Sequence, residues 1–212
     1  MSPSIPNDLA LSTTFHPLTF HTHSVIYGCN PSQTKAVVSR LRAAAASPGN
    51  YTNHPLLLAG IFAELERQRL VAAADDLVDR FAASSYAITE VTRRAPNSLQ
   101  IRDYSAICLE SRNLVDHFRA VKRQLGSFLE ELEGLERCWV TVSDEGSAEE
   151  GRKRRAKGAV ETGKRIRRRV VDIMVEYDDK IDECEMIAQN LPLAMQTVRP
   201  CRCHLGHFET SK

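Results

Sequence analysis

The sequence predicts an all-α fold dominated by a long antiparallel, coiled-coil-like helical hairpin packed with two shorter N-terminal helices. Two stripes of mostly apolar residues predict the two arms: the steps of the first alternate between four and three, and those of the second are also three or four residues. A short polar link joins them, which favours an antiparallel turn. The first stripe is Tyr104, Ile107, Ser111, Leu114, Phe118, Val121, Leu125, Phe128, Leu132, Leu135, Trp139 and Val142; the second is Ile166, Val170, Ile173, Tyr177, Ile181, Cys184, Ala188 and Leu191.

Residues 1–28 form a polar N-terminal arm that we expect to be partly disordered, since it shows no helical period. A short strand at Leu18–Tyr27 is the alternative. Residues 29–142 are the helical region that includes the first hairpin arm. Its first helix begins with Asn30 as N-cap and Pro31 at the first helical position, and a turn signal after Ala46 ends it.

A second helix is predicted from His54 to about Ala95, because apolar residues from Leu57 onward recur every three or four positions. Pro96 ends it, and Ser98 caps the first hairpin arm. Residues 143–151 are an acidic linker and 152–196 the second long helix. Residues 197–212 lose the periodicity and form an irregular tail.

Bulk composition excludes several classes of protein. The 212 residues carry a net charge of +1, so the overall charge indicates no nucleic-acid or membrane partner. No stretch is apolar enough for a transmembrane helix, and the N-terminus lacks the pattern of a signal peptide. We therefore expect an intracellular, cytoplasmic protein whose six cysteines are reduced.

The two hairpin arms have opposite charge near the link. Residues 128–150 hold eight acids and one base, and residues 152–169 hold ten bases and one acid. One interpretation is mutual neutralisation across the hairpin, which would set its register. The alternatives are a nuclear localisation signal at Arg152–Arg155, or a basic surface over Arg152–Arg169 that binds nucleic acid or anionic lipid. The basic patch comprises Arg152, Lys153, Arg154, Arg155, Arg165, Arg167, Arg168 and Arg169.

The tail contains candidate ligands for a soft or borderline metal, namely Cys201, Cys203, His204 and His207. A second ligand pair is missing and the one-residue gap strains a tetrahedron, so we expect neither a metal nor another cofactor. The chain also lacks a glycine-rich phosphate loop, a nucleophile elbow and a zinc-protease helix motif. We therefore predict no catalytic function and infer no small-molecule substrate.

Two segments resemble a known family. His54–Arg69, HPLLLAGIFAELERQR, looks like a segment of filamentous-fungal proteins that carry a CorA-like magnesium-transporter region. Val175–Gln196, VEYDDKIDECEMIAQNLPLAMQ, is similar to the helix that leads toward the membrane in that family. The resemblance covers about residues 20–196 and implies a helical cytosolic part that precedes two membrane helices.

The resemblance stops short of the family's membrane part. The helical pattern ends at Thr197, and no Gly-Met-Asn pore triplet follows. No transport residue can therefore be carried over, and we expect either a truncated soluble form or a terminus changed at a splice or gene-model boundary. The predicted function is helix–helix association, as a homo-oligomer or with a helical protein partner.

Overall fold

The computed structural model describes residues 9–16, 21–46, 54–91, 98–144 and 150–197, and the side chains of 9–16, 21–46, 54–85, 102–139 and 156–189. These residues form a mostly helical fold, which confirms the predicted class. The elements are β1 (Ala10–His16), β2 (His21–Tyr27), α1 (Pro31–Ala46), α2 (Leu57–Val91), α3 (Ser98–Asp144) and α4 (Glu150–Thr197).

The helices α3 and α4 form the predicted antiparallel pair. Ser111 Oγ donates a hydrogen bond to the carbonyl of Cys184, while nearer the link Arg167 Nη2 lies 3.4 Å from Glu136 Oε2. As the residue number rises along α3, the number of the contacting residue on α4 falls, so the two helices are antiparallel. Both helices are longer than predicted at the link, since α3 continues to Asp144 and α4 begins at Glu150.

The core lies along the two heptad stripes, with α2 as the third helix against both. Within it, the rings of Phe118 and Tyr177 are fully buried and their centroids lie 5.0 Å apart. Ion pairs and hydrogen bonds attach α2 to the hairpin, among them Arg67 to Glu176, Arg80 to Glu110, and Tyr104 Oη to the carbonyl of Ser84. The buried α2 residues of this core are Leu70, Ala74 and Leu77.

The N-terminal arm contains a β-hairpin, where partial disorder was expected. The strands β1 and β2 pair antiparallel, from Ala10 opposite Tyr27 to His16 opposite His21. Along each strand, half-buried and exposed side chains alternate, as in a sheet with one face against the protein. The strand β2 overlaps the alternative strand expected at residues 18–27, but the sequence did not indicate its partner, β1.

The β-hairpin and α1 share a second, smaller cluster with the start of α2. Val37, Ile61 and Leu65 are its buried members, and Leu9 and Ile26 of the arm pack against them. The N-cap of α1 has the predicted form, because the Gln33 amide donates to Asn30 Oδ1 over 2.8 Å. This cluster fixes α1 beside α2 and α4, where a cleft opens.

Candidate functional site

The basic patch lies along the first half of α4. The side chains of Arg152, Lys153, Arg154 and Arg155 lie outside the described residues, although their backbone belongs to α4. The described members are Arg165, Arg167, Arg168 and Arg169.

These arginines are neutralised only in part by the acidic arm. Arg167 pairs with Glu136 of α3, a contact of the kind that mutual neutralisation of the two hairpin arms would make. Arg169 instead pairs with Glu64 of α2, with 2.8 Å between Nη2 and Oε2. The sequence did not indicate Glu64, because the contact joins residues 105 positions apart. Neutralisation therefore involves α2 as well as α3.

A cleft of about 510 Å³ opens between α1, α2 and α4 beside the basic patch. Apolar side chains form much of its wall, and Gly60 lets α2 and α4 approach closely there, since a Cβ at this position would lie 3.2 Å from Ile166 Cγ2. Charged side chains from all three helices also line it: Arg40, Glu64, Arg165 and Arg169. With more cationic than anionic groups above an apolar wall, the cleft suits an anion that carries an apolar part.

Arg40 is the cleft residue that sequence reasoning missed. It lies on α1, far from the basic patch in the chain, and only the packing of α1 against α2 brings it to the cleft. A single arginine on an amphipathic helix carries no sequence signal of its own. The basic site is thus composed of residues from α1 and α4, and the sequence predicted only the contribution of α4.

A buried polar cluster lies next to the start of α2. His54 is only 2% exposed, and its Nδ1 accepts a hydrogen bond of 3.0 Å from the amide of Leu56. The edge of its ring contacts Trp139, with 5.0 Å between ring centroids. Burial lowers the pKa of His54 to about 4, because the charged form would lose its hydration. The ring is therefore neutral at pH 7, with its proton inferred at Nε2.

Glu136 and Gly163 complete this cluster. His54 Nε2 and Glu136 Oε1 are both buried and have no hydrogen-bond partner among the described residues. Both lie within 3.2 Å of the point where a Cβ on Gly163 would be. The arrangement joins the start of α2 to both hairpin arms. The neutral imidazole of His54 and the carboxylate of Glu136 lie close to the backbone of α4 at Gly163. We interpret it as a structural joint of the fold.

The predicted metal candidates Cys201, Cys203, His204 and His207 lie outside the described residues. In the part of the chain that the structure describes, His, Cys, Asp and Glu residues form no group of three or more that could hold a metal ion. Over the same residues, none of the helices combines the length and apolar character that crossing a bilayer requires.

Comparison with known proteins gives no assignment. No protein-family model matches this chain, and neither a curated protein nor a solved structure does.

Proposed function

We propose that this protein is a non-catalytic helical module that acts through helix–helix association, as a homo-oligomer or with a helical partner. The observation that carries the proposal is an outer side of α4 with large apolar residues in contact with solvent. Val171, Val175 and Met186 are 45%, 58% and 54% exposed, although the opposite side of the same helix is fully packed. Apolar side chains grouped on one exposed face favour protein contact.

The use of the buried hydroxyls supports a structural role. Ser111 Oγ donates to the carbonyl of Cys184, and Thr162 Oγ1 donates to the carbonyl of Gly158 over 2.9 Å. A hydroxyl whose proton is donated to a backbone carbonyl is not paired with a side-chain base that would activate it as a nucleophile. The buried Cys184 thiol is similarly unreactive, since burial raises its pKa to about 11.

The family resemblance adds a context to this proposal. With 48 residues, α4 extends over about 72 Å. A bundle of such long helices matches the helical cytosolic part that the CorA-like resemblance implies. We propose that this chain corresponds to that part.

Sedimentation velocity over a micromolar concentration series tests the association. We expect a concentration-dependent shift from monomer to a larger species, or a complex when a helical partner is added. A chain that sediments as a monomer throughout, and that captures no helical partner, would contradict the proposal.

The cleft favours a second candidate function, binding of an anionic lipid. Arg40, Arg165 and Arg169 lie beside its apolar wall, so a negatively charged headgroup could contact arginines while an acyl chain contacts the wall. A nucleic acid would use the charges alone. The apolar wall therefore favours lipid over nucleic acid.

Flotation with phosphatidylserine vesicles, compared with phosphatidylcholine vesicles, tests this candidate. The variant Arg40→Gln/Arg165→Gln should lose salt-sensitive binding, while Arg123→Gln, an exposed charge on α3, should keep it. Equal binding by both variants would exclude the cleft. If the protein binds duplex DNA and Arg40→Gln/Arg165→Gln loses that binding, the cleft is a nucleic-acid site instead.

A further inference from the structure

The helix α4 carries a second heptad seam on its solvent side. The steps between its members are four, three, four, three and four residues, the alternation that is typical of a heptad seam. Every member is exposed, whereas the buried seam contacts α2 and α3. We call this set the outer seam of α4, and its members are Lys164, Arg168, Val171, Val175, Asp178 and Asp182.

The outer seam is ordered by charge. Two bases come first, two valines follow, and two acids come last. If a second copy of α4 lies antiparallel, with a two-fold axis at the level of Ile173, the layers that these six residues form are all complementary. Val171 then meets Val175 of the second copy. The outer layers bring Arg168 beside Asp178 of the second copy and Lys164 beside Asp182 of the second copy. The next layer outwards brings Glu161 beside Glu185 of the second copy, where each carboxylate already lies near an arginine of its own chain.

The charges of this seam are available for a partner. Lys164, Arg168 and Asp182 form no ion pair with another residue of the described chain. Asp178 pairs with Lys122, but 59% of its side chain stays exposed. A parallel second copy would place bases beside bases and acids beside acids, which is unfavourable. The order of charges therefore selects the antiparallel orientation and fixes its register.

We propose that two copies of this chain form an antiparallel homodimer through the outer seam of α4. This inference rests on the proposed function, helix–helix association, and names its surface and partner. The apolar centre is small and the flanking ion pairs are exposed, so the dimer is a reversible one. The two hairpins then lie on opposite sides of the seam.

A charge exchange between Lys164 and Asp182 tests the pairing. Lys164→Asp and Asp182→Lys should each abolish or strongly weaken self-association, because like charges then meet in two symmetry-related layers. The double variant should restore it, and so should an equimolar mixture of the two single variants, since opposite charges meet again. Analytical ultracentrifugation measures each species, and circular dichroism confirms that every variant keeps its helical content.

Lys157→Asp is the matched control. Lys157 is exposed on the same side of α4, and in this register it meets the uncharged Gln189 of the second copy. It should change self-association little. If the wild type associates and all variants associate equally, the outer seam is wrong while helix–helix association stands. If the wild type remains a monomer and only a different helical protein binds, the homodimer is wrong and the proposed function stands.

Discussion

Replacing Gly163 by alanine tests how tightly the polar cluster of His54 and Glu136 is packed. Gly126 is the matched control, because both glycines lie inside the long helices and alanine favours either helix by about 1 kcal/mol. At Gly126 an added Cβ meets nothing within 4 Å. At Gly163 it would lie 2.8 Å from Glu136 Oε1, closer than a Cβ contact allows, and 3.2 Å from His54 Nε2, closer than most Cβ contacts.

The overlap at Gly163 cannot be relieved freely. The ring of His54 is held by its hydrogen bond to the Leu56 amide, and Glu136 pairs with Arg167 through its other oxygen. Overpacking of this kind costs about 1–3 kcal/mol. We therefore expect Gly126→Ala to raise the free energy of unfolding by up to about 1 kcal/mol. Gly163→Ala should lower it by up to about 2 kcal/mol once the helix gain is included.

Urea unfolding followed by circular dichroism measures both variants, provided that the m-values match that of the wild type. The informative quantity is the difference between the two alanine variants, about 1–3 kcal/mol. A Gly163→Ala protein that gains as much stability as Gly126→Ala would refute the close packing of this cluster.

Two further predictions concern the apolar core of the helices and the pH dependence of the polar cluster. Phe118→Ala should lower the free energy of unfolding by about 3–5 kcal/mol, since the side chain is fully buried against Tyr177. Leu109→Ala is the control, because Leu109 is 62% exposed. In the same urea assay it should change the free energy of unfolding by less than about 0.5 kcal/mol. The second prediction is a pH dependence from His54, whose pKa falls from 6.5 to about 4 on folding. Because the unfolded chain binds the proton more readily, stability should decrease as the pH falls from about 6.5 to 4, by up to roughly 3 kcal/mol. His54→Asn keeps an acceptor near the Leu56 amide and does not titrate, so its stability should vary less over this range; identical pH profiles of the two proteins would contradict the assignment.

The heptad pattern predicted the hairpin core almost position by position. Every member of the second stripe from Ile166 to Cys184 is buried, because a 3.5-residue repeat keeps one side of a helix against its partner. The prediction drifts at the far end. There Ile187 is the buried residue and Ala188 is only half-buried. The buried positions from Ile166 to Ile187 average 3.5 residues per step, so the predicted step of four from Cys184 to Ala188 is one residue too long.

Features that depend on partners far along the chain were not predictable. The β1 strand is rich in serine and threonine, and its alternation becomes informative only once β2 lies beside it. The cleft needs Arg40 from α1, and the neutralisation of Arg169 needs Glu64 from α2. Arg40 and Glu64 each lie in a segment whose pattern predicts a helix, but the pattern does not predict which other helix packs against it. Tertiary packing determines these contacts, and the pattern of a single sequence does not predict them.

The long separation between α2 and α4 in the chain has a consequence for biosynthesis. The contact from Arg67 to Glu176 bridges 109 residues, and that from Asp75 to Lys180 bridges 105. While the ribosome is still making α4, α2 and α3 lack the helix that covers their apolar sides. The nascent chain thus presents unfinished apolar surface until nearly all of α4 has emerged, the period in which a chaperone could bind it and in which aggregation competes with folding.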